Sequence, residues 1–237
     1  MTAYPRPSSN ISPQKGKESL LQTVERKLES GKLSAFTFQV DDRPADFIVE
    51  WFCKWLQSYI AGGADISDGQ TLQVGYTLIR CSIDSQILRL ESPEFISMPI
   101  QWHANLGPAL QLLGWHKYVP ESCSLESDIP RFGQTAIVGQ NYDSLPMFGN
   151  RLEATGVNDS GWFFGSMLDD VDNNDPDQLS EISLYEAMIS IPNMAPYLSL
   201  PTDCQVLFKS PTPELLKGYE RLVIEPGSMI DLLHRGQ

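Results

Sequence analysis

Apolar positions recur at two periods along this chain, and the switches between them lay out its elements. From Glu18 to Ser30, Leu20, Leu21, Val24 and Leu28 fall on one face of a helical wheel, with Gly31 placed where a helix stops. Ser34 to Val40 then alternates, putting Phe36, Phe38 and Val40 on one side of a half-buried strand. Pro44 suits the first turn of a helix that carries Phe47, Ile48, Trp51, Phe52, Trp55, Leu56 and Tyr59 and ends at Gly62-Gly63. The stripe of Trp51, Trp55 and Tyr59 follows helix spacing among aliphatics and is assigned to the core. Asp68-Gly69 marks a turn, Leu72, Val74, Tyr76 and Leu78 alternate through a strand, and Gln86 to Leu90 completes a hairpin-like pair. A further helix is expected over Ala104 to Leu113, stopping near Gly114.

Pro120, Pro130 and Gly133 punctuate a polar stretch over residues 119–133 that makes the best domain boundary. Beyond it, Ala136 to Val138, Gly161 to Phe164 and Val206 to Phe208 are expected as strands. Glu181 to Ser190 is expected as a helix, and Ser228 as the cap of a last short helix through Leu233. The chain therefore reads as α+β, with two small domains, each a mainly antiparallel sheet packed with helices: residues 18–128 and 129–237, preceded by a Pro- and Ser-rich mobile arm over 1–17.

Composition adds one strong asymmetry. Residues 152–208 hold ten Asp and Glu and no Lys or Arg, so they supply ten of the thirteen net negative charges, leaving the other 180 residues at minus three. Such a field speeds encounter with a basic partner and repels nucleic acid and anionic lipid. No apolar run approaches a membrane span and no signal peptide is visible, so a cytoplasmic location is expected. Cys53, Cys81, Cys123 and Cys204 form no C-x-x-C pair and read as buried reduced thiols.

Asp159-Ser160-Gly161-Trp162-Phe163-Phe164-Gly165, an Asp-rich loop over 169–177, then Ile182, Leu184 and Tyr185, Pro196-Tyr197-Leu198 and Pro201 form a series. It resembles the thirty-third numbered class of bacterial immunity proteins, formerly a domain of unknown function. The resemblance covers about residues 133–210. It implies a protein that neutralises a toxin passed between bacteria, such as an effector of the type VI secretion system. Members commonly place a basic or polar residue between the Trp and the aromatic pair. This chain has none, and one residue fewer in a strand reverses the faces downstream. Which of Phe163 and Phe164 points inward is therefore open.

The resemblance and the charge together assign partner contact to Asp169, Asp170, Asp172, Asp175 and Asp177, with Trp162 and Tyr185 as apolar contacts. The expected partner is a cognate toxin with a basic active-site face. A nuclease fits best, since it displays Lys and Arg where phosphates bind. No cofactor and no metal is expected. Asp170, Asp172, Asn174 and Glu181 do fall at positions 1, 3, 5 and 12 of an EF-hand loop, but Asp175 occupies the sixth position, where that loop needs Gly. A calcium-regulated adaptor is thus the lesser alternative. Another is an enzyme that degrades the toxin's product with scattered acids or His103 and His116, although no nucleophile, zinc or phosphate-loop motif accompanies them.

Overall fold

In the computed structural model, which describes residues 20–29, 32–210 and 212–235, the first apolar run is a strand and not a helix. β1 (Gln22–Lys27) pairs antiparallel with β2 (Ala35–Val40), from Gln22↔Val40 to Lys27↔Ala35. Val24, Arg26 and Leu28 are half-buried in alternation, while Leu20 and Leu21, which had suggested the helical face, are exposed. A ladder partner within reach outweighs a short run of helix-compatible spacing. The expected arm over 1–17 and the helix stop at Gly31 lie outside the described residues.

Helix α1 (Asp46–Ala61) follows as expected, but its aromatic stripe is only partly core. Ile48, Phe52, Cys53 and Leu56 are buried against the sheet, whereas Trp51 is 50% and Tyr59 41% exposed. The apolar arc is wider than the face the sheet can cover. Its flank is closed by aromatic pairing: Trp55 stacks on Tyr59 with ring centroids 5.5 Å apart, and Phe47 meets Tyr118 edge-on.

The alternating run after Asp68 is two strands. β3 (Thr71–Val74) and β4 (Thr77–Asp84) are joined by the two-residue turn Gly75-Tyr76, with Gly75 at φ 57°, a conformation that costs glycine little. β5 (Ile87–Pro93) pairs antiparallel with β4 and parallel with β2, giving the order β1-β2-β5-β4-β3, while the short β6 (Trp102–His103) pairs with β5. Helix α2 (Gly107–Glu121) runs straight through Gly114 instead of stopping there. It serves two cores. Ala109 and Leu110 pack with α1 and the first sheet; Leu112 and Val119 pack with the second.

The second sheet has the order β10-β7-β9-β8-β11-β12-β13. Its strands are β7 (Thr135–Val138), β8 (Met147–Arg151), β9 (Asp159–Ser166), β10 (Ser180–Ser183), β11 (Cys204–Phe208), β12 (Glu214–Lys217) and β13 (Glu220–Arg221). Both sheets are thus mixed, since β7 and β9 also run parallel. The expected helix over 181–190 is shortened. Its first residues belong to β10, and α3 (Leu184–Ser190) starts only where Ser183 Oγ accepts a hydrogen bond from Glu186 N. α4 (Met229–Arg235) closes the described chain, with Ile230 buried. The fold class is α+β.

One row of paired residues crosses this sheet: Glu181, Ile137, Phe163, Asn150, Gln205, Leu216 and Arg221. None of them is buried. The neighbouring row, Val138, Phe164, Gly149, Val206 and Leu215, is buried throughout. The sheet therefore has a dry face under α2 and α3 and an outer face that, among the described residues, is half-buried and belongs to neither core.

Tyr76, carried on the β3–β4 turn, is fully buried in the second core and meets His116 of α2 edge-on at 5.8 Å. His116 Nε2 lies 2.8 Å from the carbonyl of Ala195, which can only accept, so the neutral ring keeps its proton there. Burial pushes the His116 pKa down to about 4, against the weaker opposite pull of that hydrogen bond. The unfolded chain takes up this proton near its ordinary value of about 6.5, so stability is full above that pH and is lost as pH falls toward 4. Burial lowers His234 as well, with the same sign. Urea melts at pH 7 and pH 5 should differ by about 2 kcal/mol. In His116→Gln most of that difference should vanish, and an equally steep variant would place the effect elsewhere.

Candidate functional site

β9 settles the facing of the aromatic trio. Trp162 and Phe164 point inward and stack with centroids 5.5 Å apart, while Phe163 points outward and packs on Phe148 of β8 at 5.8 Å. Trp162 Nε1 donates to Leu198 O at 3.0 Å, and the guanidinium of Arg151 lies over its ring. Arg151 is itself buried, ion-paired to Asp128 at 3.0 Å and bonded to Ser160 O. Trp162 is 1% exposed and Tyr185 2%, so neither offers surface to a partner. The expectation of apolar contact at these two positions is corrected: both are core residues, Tyr185 sitting against Phe132 and Phe95.

The Asp-rich loop leaves β9 at Ser166 and returns as β10. Asn173 ties it down: Oδ1 accepts from Ser166 N at 3.1 Å, and Nδ2 donates to Ser166 O at 2.8 Å. That closeness depends on glycine, because a Cβ on Gly165 would sit 2.5 Å from Asn173 Oδ1. Asp172 and Asp175 spend their carboxylates on loop turns. Asp172 Oδ1 accepts from Asn174 N at 2.9 Å; Asp175 accepts from Asp177 N at 3.1 Å and from Gln178 Nε2 at 2.8 Å. The carboxylates of Asp169, Asp170 and Asp177 are exposed and take no hydrogen bond among the described residues. The five aspartates therefore divide into two that shape the loop and three that face solvent.

Residues 116–221 match the family model of the Imm33-like domain. No curated protein and no solved structure matches the chain. The Imm33-like segment begins inside α2 and includes all of β7 to β12, the acidic loop and the outer face.

Other chemistries find little in this geometry. Glu181, which completed the EF-hand register, accepts instead from Thr135 Oγ1 at 2.7 Å, beside the β10–β7 ladder. Among the described residues no group of three or more His, Cys, Asp and Glu is placed to hold a metal ion. His103 lies by Pro93 O, His116 by Ala195 O and His234 by Tyr197 OH, so no two histidines share a hydrogen bond. All four cysteines are free and buried, and burial raises each thiol to about 11, far from the range of a reactive thiolate. Asp159 has its carboxyl raised by burial but lowered further by hydrogen bonds from Thr155 and Gly161, for a net fall; it stabilises the turn before Trp162. No helix of the described residues is long and apolar enough to cross a membrane.

Phe148 and the other outward residues of β8 went unnoticed in the sequence. Met147-Phe148-Gly149-Asn150-Arg151 has no strong strand signature, and its buried Arg151 breaks the polar-out pattern that would have marked its faces.

Proposed function

We propose that this chain is an immunity protein that binds one cognate antibacterial toxin in the cytoplasm and blocks its active site or substrate groove. The Imm33-like match carries this reading. The anchored loop adds physical support: its solvent-facing carboxylates are held out on a preformed scaffold and need little ordering on contact. A toxin of the nuclease type suits the charge best, because its phosphate-binding Lys and Arg are what such carboxylates meet. Neutralisation by occupancy requires no turnover.

The discriminating measurement is a titration of the cognate toxin domain, sought first in the reading frames beside this one, against this protein. Inhibition should saturate near one to one. Complete rescue by trace amounts would replace sequestration with catalysis.

A further inference from the structure

The outer face of the second sheet carries Ile137, Phe163, Phe148, Leu207 and Leu216, and these five side chains belong to neither hydrophobic core. They are half-buried, and among the described residues neither hydrophobic core reaches them; Phe163 and Phe148 pack on each other there. A single exposed apolar residue needs no explanation; a contiguous aromatic and aliphatic face on the middle strands of a sheet does.

We infer that this face, centred on Phe148 and Phe163, is the docking surface for a basic protein partner, with the acidic loop as its charged rim. The inference rests on the immunity reading and names the part of the molecule that would do the gripping. Three observations carry it. First, loop and face are contiguous, because Asn173 reaches from the loop onto Gly165 and Gly139, and Phe148 lies over the same Gly165. Second, the dimensions fit. Seven strands at a spacing of about 4.8 Å make the row about 29 Å long, close to the diameter of a standard interface patch of about 800 Å² per partner. Third, the charge selects the occupant. Ten acids without a base over residues 152–208 oppose nucleic acid and anionic lipid, and oppose a second copy of this chain in any arrangement that lays one loop over the other. A partner with Lys and Arg around an apolar centre meets both halves of the surface, apolar in the middle and charged at the edge.

The two halves should act on different rate constants. The aromatic centre is desolvated only in the docked state and governs dissociation; the rim steers encounter and governs association. The test uses the full chain and, as probe, a catalytically inactivated form of the cognate toxin domain identified in the titration above. Phe148→Thr with Phe163→Thr keeps strand-forming side chains at both positions. It should weaken binding about a hundredfold, mostly through faster dissociation, with the salt dependence of association unchanged. Asn150→Arg, in the same row and without a side-chain hydrogen bond to lose, leaves both rings in place and should weaken binding through repulsion and obstruction, which covers the case of a misfolded double variant. If both folded variants bind like wild type, the sheet face is not the docking surface, though the immunity reading stands. Should wild-type protein fail to bind the probe, or protect at trace stoichiometry, the immunity reading falls and takes this inference with it. Sedimentation showing a dimer that Asn150→Arg dissociates would assign the face to a second copy and overturn the proposal.

Discussion

Reversing Asp169, Asp170 and Asp177 to Lys together should slow association with the toxin domain on the order of a hundredfold at low salt and abolish protection. These three carboxylates take no hydrogen bond among the described residues, so their replacement leaves the loop's turns intact, whereas Asp172 and Asp175 hold those turns. Three charges change sign, a swing of six units, in a stretch of 57 residues that otherwise contains no base. The melting temperature should hold or rise slightly as acidic self-repulsion eases. Raising the salt should shrink the difference between wild type and variant, since exposed charges are screened within about 10 Å at 0.1 M. Stopped-flow association at two salt concentrations reads the outcome. A variant that associates at the wild-type rate would remove the loop from the mechanism.

Truncating Trp162 to Ala should cost about 3–5 kcal/mol, while the same change at adjacent Phe163 should cost about 1 kcal/mol or less. The difference follows from facing alone. Trp162 is stacked on Phe164, donates to Leu198 O and lies under the Arg151 guanidinium; its loss opens a cavity, orphans a buried carbonyl and strips a buried cation of its ring. Phe163, half-buried on the outer face, loses its packing on Phe148 and its cross-strand neighbours but opens no core cavity. Urea titration of both variants decides it, and equal losses would mean that β9 does not present the faces described. Binding should rank them in the reverse order among folded molecules, because Phe163 is the one that a partner can touch.

Strong periodicity was read well where one partner surface determined it. β2 and α1 lie where alternation and helical spacing put them, and β7, β9, β11 and α4 overlap the segments expected as short strands and as a capped last helix. Errors arose where the partner was remote in sequence. β1 gains its ladder from β2, and the helix-like spacing of Leu20, Leu21, Val24 and Leu28 says nothing of that pairing. The turn at Gly75-Tyr76 was hidden because Tyr76, a turn residue, is as buried as its neighbours: it inserts into the core of the other sheet. Gly114 looked like a stop because a glycine with no visible partner is indistinguishable from a cap, yet α2 carries on to pack against that second core.

The candidate site was legible by charge and not by geometry. The lopsided acidity of the loop needed only counting, but its division into carboxylates that turn the chain and carboxylates that meet solvent depends on Asn174, Asp177 and Gln178 as donors. In the sequence, Trp162 and Tyr185 suggest partner contact because aromatics dominate interface energetics. The same property places large rings in cores, and spacing in a strand leaves the choice of face open until its neighbours are known.

The two rows of the seven-stranded sheet divide labour between persistence and appearance. Side chains on the row through Val138, Phe164 and Val206 hold the molecule together, and few substitutions there would be neutral. The row through Ile137, Phe163, Asn150 and Gln205 contributes nothing to either interior, so its chemistry is free to change while the scaffold stays as it is. On the immunity reading, a lineage facing a succession of different attackers could therefore redraw what it shows them one outward residue at a time while its interior stays unchanged.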